Sequence, residues 1–234
     1  MISEKDFRKI SLRYSRFVEK LQTKLDDVEI IYVSPERDNM LDTKFLFVGE
    51  SPYLKKEEVT PKSFESVHGT EQSGNNLNEM AKTWLLINGN KESFGYSGLL
   101  NEGKTIFEMS KQLKINFINA YPIVIVFETK NDCSKKLFER LKLSKCFYVE
   151  EKKRYGKHIL LIDVKGGWLD TLVKYYWDEH IYMFGVVASD RWKKGIKVMH
   201  PVLSWVNFGN LYAEFLGPKS IFADVFNSNV NNSI

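Results

Sequence analysis

The chain has 234 residues, a formal net charge of +4, and 43% hydrophobic and 14% aromatic residues, which suits one sizeable packed core and excludes a wholly disordered chain. Its two cysteines, Cys133 and Cys146, lie in different segments without C-x-x-C spacing, which excludes a disulfide framework and a readable zinc or iron–sulfur site. The charged opening from Met1 to Arg16 and the lack of any run of about 20 apolar residues set the expectation of a soluble, cytoplasmic protein with no membrane partner, while the basic excess permits a polyanionic one without requiring it.

In chain order, Glu4 to Leu25 places Phe7, Ile10, Tyr14, Phe17, Val18 and Leu21 at mostly helical spacing, which predicts an amphipathic helix. A buried strand follows from about Lys44 to Val48. The stretch from Leu54 to Asn76, with Pro61, Gly69 and Gly74, reads as a long polar loop, and loops of that length inside a compact domain tend to carry function. Helices are expected over Asn76 to Leu86, capped by Asn75 or Asn76, and over Thr105 to Leu113. Ile115 to Pro122 predicts a strand that stops at its proline. A basic helix from Asp132 to Leu143 leads into a hairpin of Cys146 to Glu150 and His158 to Val164, joined by the charged turn Glu151 to Gly156. Gly166-Gly167 opens a helix through Tyr176, a strand spans His180 to Val187, a short helix Ala188 to Lys194, and a last strand Ile196 to Met199. The sequence reads as one domain over residues 1–226, with an insertion at about 130–166 and a frayed tail at 227–234.

Two short segments far apart in the chain stand out. Gly49-Glu50-Ser51-Pro52-Tyr53 follows the apolar run Phe45 to Val48, and His200-Pro201-Val202-Leu203-Ser204 follows the last strand. Ligands of open α/β sheets bind at the carboxyl edge of the strands, so both loops, with Asn119 at the end of its own strand, are candidates for one pocket.

These residues resemble the uracil-DNA glycosylase superfamily, whose members carry a Gly-x-x-Pro turn after the first strand, an asparagine or equivalent on a later strand, and a late His-Pro loop. The segment Phe184 to Gly195 is similar to the LLWGxxAxxKKG strand and helix of the classical enzymes. The likeness spans about Lys44 to Gly209. It implies a three-layer α/β/α sandwich with a short, mostly parallel central sheet. It also implies a monofunctional DNA glycosylase that hydrolyses the N-glycosidic bond of a flipped uracil or other modified pyrimidine and leaves an abasic site, needing neither metal nor organic cofactor and acting as a monomer on single- or double-stranded DNA. The motif is a hybrid. Classical members read GQDPYH, whose aspartate position is Ser51 here, and iron–sulfur members read GEAPG but need cysteines that this chain lacks, so the catalytic carboxylate moves to Glu50. The His-Pro loop is shorter than HPSPLS.

The resemblance implies a role for each matched residue. Glu50 orients water or shields the oxocarbenium character of the transition state, and His200 donates to the base oxygen that gathers charge. Asn119 reads the Watson–Crick edge, Tyr53 blocks a 5-methyl group, Phe64 stacks on the base, and Ser51 holds a phosphate or water. Leu203 fills the gap left by the extruded nucleotide, with Ser204 beside it, and Arg191, Lys193 and Lys194 meet phosphates. Plainer readings stand beside these: a carboxylate at a strand end, a loop histidine, a turn-forming asparagine, a core phenylalanine and a solvated basic face. Three other functions fit the same sequence. They are a catalytically silent binder of DNA or protein, a glycosylase for a hypermodified base in foreign DNA, and an unrelated α/β hydrolytic enzyme.

Overall fold

The computed structural model describes residues 2–25, 28–35, 40–52, 72–89, 94–127, 132–154, 156–201 and 208–230. Helix α1 (Glu4–Gln22) starts at Ser3, whose hydroxyl accepts the Asp6 N–H, and Glu4 and Asp6 place negative charge at the positive end of the helix dipole. Its inner face buries Ile10, Tyr14 and Leu21. The parallel sheet consists of β2 (Phe45–Gly49), β3 (Ile115–Asn119), β7 (Ile181–Phe184) and β8 (Ile196–Val198), in the order β3-β2-β7-β8. Alternation along these strands divides the core. Leu46, Val48, Ile118, Ile181 and Met183 join one apolar cluster, while Phe45, Phe47, Ile115, Phe117, Tyr182 and Phe184 join another. The second cluster is closed by α2 (Gln72–Asn88), through Met80, Ala81 and Trp84, and by α8 (Ile221–Val230), through Phe222 and Phe226. Each such fully buried side chain is worth about 1.5–3 kcal/mol.

A second sheet lies beyond the expected architecture. It comprises β1 (Glu29–Tyr32), β4 (Ile123–Phe127), β5 (Phe147–Arg154) and β6 (Lys157–Val164), all antiparallel in the order β1-β4-β6-β5. The chain is therefore α/β with a four-stranded parallel sheet, as expected, and with a second sheet of equal strand number sharing one of its cores. Pro122 does not end the strand region. It sits between β3 of one sheet and β4 of the other, and its carbonyl accepts the Val33 N–H at 3.2 Å. The segment read as a charged turn is strand instead: Glu151 to Arg154 pair with Leu160 to Lys157, and Gly156, at a φ of 78°, makes the tight turn.

Other differences have local causes. Thr105 forms a capping box with Glu108, each accepting the other's backbone N–H, yet the chain then runs through irregular turns to Lys114 at a φ of 54° and no regular helix follows. The helix in this region is α3 (Phe94–Asn101), where Gly95 and Gly98 hide the helical signal. Helix α2 begins at Gln72, ahead of the asparagines expected to cap it, whereas α4 (Asp132–Leu143) matches its expected bounds. The last helical stretches before the tail are α5 (Trp168–Leu172) with 3-10 turns after it, α6 (Val186–Arg191), α7 (Phe208–Leu211) and a π-helical segment (Tyr212–Leu216). The tail is helical as far as Val230, and residues 231–234 lie outside the described residues, as does 53–71, most of the expected long loop.

Candidate functional site

Parallel pairing brings the carboxyl ends of all four parallel strands to one edge. Gly49 is in register with Asn119, the Ala120 N–H donates to the Gly49 carbonyl at 2.8 Å, and the Tyr121 N–H donates to the Glu50 carbonyl at 2.9 Å. On the other side of β2, β7 ends at Gly185, whose φ of 85° admits glycine and whose N–H donates to the Val198 carbonyl at 2.8 Å. A Cβ on Gly185 would lie 3.6 Å from the Cβ and Cδ2 of His200, so the histidine ring packs directly over this turn. β2 is flanked by β3 and β7, which places the switch in strand order between β2 and β7, where open α/β sheets bind ligands. Glu50 and His200 follow strands on the two sides of that switch.

Glu50 is heavily partnered. Lys152 Nζ donates to its Oε2 at 2.7 Å and Arg154 Nη2 donates to its Oε1, while its own side chain is only 16% exposed. Both cations come from β5, whose basic run was legible in the sequence; that it reaches Glu50 was not. His200 is held below the ordinary imidazole range chiefly by burial; the Glu50 charge pulls it up and Arg154 and Lys152 push it down. Its neutral form therefore prevails at neutral pH. The Tyr121 phenol is pushed up to about 12, first by burial and then by the Glu150 carboxylate, and stays protonated. Asn119 is 4% exposed, and its Oδ1 is buried without a hydrogen-bond partner. An amide oxygen in that condition costs roughly 1–3 kcal/mol unless a water or a ligand meets it.

The remaining expected residues divide. Ser51 is buried, with its hydroxyl turned toward the Pro52 carbonyl at 3.4 Å. Pro201 is tied to α2 by Asn76, whose Nδ2 donates to the Pro201 carbonyl at 3.3 Å, and Glu214 accepts the Met199 N–H at 2.6 Å, so two separate elements fix the start of the His-Pro loop. Lys193 and Lys194 are exposed. Tyr53, Phe64, Leu203 and Ser204 lie outside the described residues.

Arg191 is a correction. Its side chain is 3% exposed and donates to Asp163 at 2.6 Å and to Asp170 at 2.8 Å, with its guanidinium 3.4 Å from the centre of the Tyr148 ring. A cation so enclosed is engaged within the fold, where the resemblance implies an exposed phosphate contact. Asp163 also accepts the Tyr14 hydroxyl, and burial pushes its carboxyl up to about 6 against the pull of Arg191.

Among the described residues, no group of three or more His, Cys, Asp or Glu side chains is placed to hold a metal ion, and no helix is long and apolar enough to cross a membrane. No protein-family model, curated protein or solved structure matches the chain.

Proposed function

We propose that the protein is a DNA glycosylase of the uracil-DNA glycosylase type, which hydrolyses the N-glycosidic bond of a flipped uracil or other modified pyrimidine and leaves an abasic site. The observation that carries this reading is the buried Asn119 Oδ1 without a partner, at the same strand edge as Glu50 and His200. A pyrimidine with an N–H between two carbonyls offers that oxygen a donor, and the Asn119 amide N–H₂ has a carbonyl to meet. Bond breaking moves an electron pair from C1′ onto the base. The neutral His200 imidazole donates to the base oxygen on which that charge collects, and a buried donor there is worth more than one in water.

Glu50 faces the sugar cation. Lys152 and Arg154 each occupy one of its oxygens, and the lone pairs left on both can hold the water that attacks C1′. The water's oxygen bonds to C1′, and its proton passes to the carboxylate or to the departing base. A hypermodified base is the substrate variant of the same reaction. A second reading, a silent module that binds DNA, draws on the same ion pairs: a carboxylate already neutralised by two cations is a weaker electrostatic partner for a sugar cation.

The test is mass spectrometry of free bases released when purified protein meets uracil-containing and modified-base DNAs, with alkali cleavage of the strands to report abasic sites. Release that disappears in Asn119→Ala and His200→Ala supports the reading. Release that persists unchanged in both sinks the site, and no release from any DNA favours the binding module.

A further inference from the structure

Strand β5 brings to this edge a pair of cations that, in the glycosylase reading, touch none of the reacting atoms. Its side chains alternate between two environments. Phe147 meets Phe17 of α1 at 4.7 Å between ring centres and Glu151 meets His158 at 3.4 Å, whereas Tyr148 lies on Arg191 and Lys152 and Arg154 reach Glu50. Even-numbered residues of β5 thus face the parallel sheet's carboxyl edge.

Two cations meet the Glu50 carboxylate directly, and Glu150, on the same face of β5, brings its negative charge to Tyr121. One lysine or arginine neutralises Glu50, so the second cation is available to another anion. Their exposure is also unlike that of a structural tie: the Lys152 and Arg154 side chains are 27% and 26% exposed, against 3% for Arg191. A planar guanidinium fork beside an ammonium point charge is the donor set that phosphate oxygens take. The buried Asn119 Oδ1, which has no hydrogen-bond partner, lies at the same edge and can accept from a bound group.

We infer that Lys152 and Arg154 form a clamp for a backbone phosphate of DNA beside the extracted nucleotide, with Glu50 as the internal counter-ion that competes with that phosphate. The inference rests on the glycosylase reading for its choice of ligand. It gives the β5–β6 hairpin a role in holding DNA, and it places the gripped phosphate close to the carboxylate that faces the sugar.

Fluorescence anisotropy of a labelled uracil-containing oligonucleotide, titrated across a range of salt concentrations, tests it. Lys152→Gln and Arg154→Gln are each expected to reduce the slope of log affinity against log salt by about 1, and the double variant by about 2. Lys152→Arg keeps the charge and is expected to keep the slope. Glu50→Gln removes the competitor and is expected to bind DNA about twofold to fivefold more tightly, the range of a partly exposed ion pair. Circular dichroism melts of every variant identify those that fold.

Unchanged slopes in folded Lys152→Gln and Arg154→Gln, no tightening in Glu50→Gln, or no DNA binding by the unaltered protein overturns the clamp. Deoxyuridine monophosphate serves as a parallel ligand, and a loss confined to it overturns the backbone assignment in favour of a terminal phosphate. Base release measured on the same DNAs separates the two ideas. Released base with unchanged slopes overturns the clamp alone, while reduced slopes without released base keep the clamp and overturn the glycosylase.

Discussion

Two clusters of ionised side chains in this molecule are built from the same chemistry in opposite proportion. Around Arg191, one cation meets two carboxylates in a dry setting, with side-chain exposures of 3%, 0% for Asp163 and 18% for Asp170. Around Glu50, one carboxylate meets two cations, each about a quarter exposed. The first is also closed by neighbours: the Tyr14 hydroxyl on Asp163, the Gly166 N–H on Asp170 and the Tyr148 ring on the guanidinium. The second stays partly open. A sealed charge pair can serve only the fold, whereas a partly open one leaves room for a further group.

The contrast breaks most visibly at Arg191. Arg191→Met leaves Asp163 buried without its cation and is expected to cost about 3–5 kcal/mol in urea unfolding. Adding Asp163→Asn is expected to recover part of that, and a double-mutant cycle in which the two losses simply add contradicts the tie.

Glu50→Gln is the matching change at the open cluster. Its expected effect is on turnover, with base release falling about 100-fold or more while stability stays within about 1 kcal/mol. A large stability loss with release unaltered would make Glu50 a second structural tie.

A smaller effect is expected at Gly167, which lies under the sealed cluster. A Cβ there would overlap the Tyr14 hydroxyl and come within 2.5 Å of the Val164 carbonyl oxygen and 2.9 Å of Asp163 Oδ1. Gly167→Ala is expected to cost about 1–3 kcal/mol, read from the same unfolding curves.

The finest test is the titration of His200 by proton NMR. Burial places its folded-state pKa below the ordinary 6.5, so the midpoint is expected below that value. Glu50→Gln is expected to move it further down and Lys152→Gln to move it up. Because the folded value is depressed, His200's contribution to stability is full above about 6.5 and is lost as pH falls through the folded-state midpoint. An ordinary midpoint that ignores both substitutions would uncouple His200 from the open cluster.

Much of the scaffold was legible in the sequence. The apolar run Phe45 to Val48, the strand ending at Asn119 and the strand leading into His200 carry strong local signals, and all three end at one edge. The second sheet was harder to read. β1 has only Ile31 buried, β4 follows a proline that reads as a stop, and β5 is charged from Glu150 to Arg154, with Lys152 and Arg154 meeting a partner from a distant segment. Arg191 shows the same limit. Its neighbours Lys193 and Lys194 suggested a basic face, and only the fold could bring Asp163, far away in sequence, against its guanidinium. Periodicity reports which side chains avoid water, but it carries no record of which charges meet.

The passage from Asn119 to Ile123 leaves one sheet and enters the other without a free linker. From there an unbroken ladder runs through β4 to β6 and on to β5, as far as Lys152 opposite Ile159. The amide at one end and the ammonium at the other are therefore graduations on a single ruler, spaced by hydrogen-bonded strands and insensitive to the wandering that a loop would allow. Such a ruler suits a ligand whose recognised groups are themselves a fixed covalent distance apart.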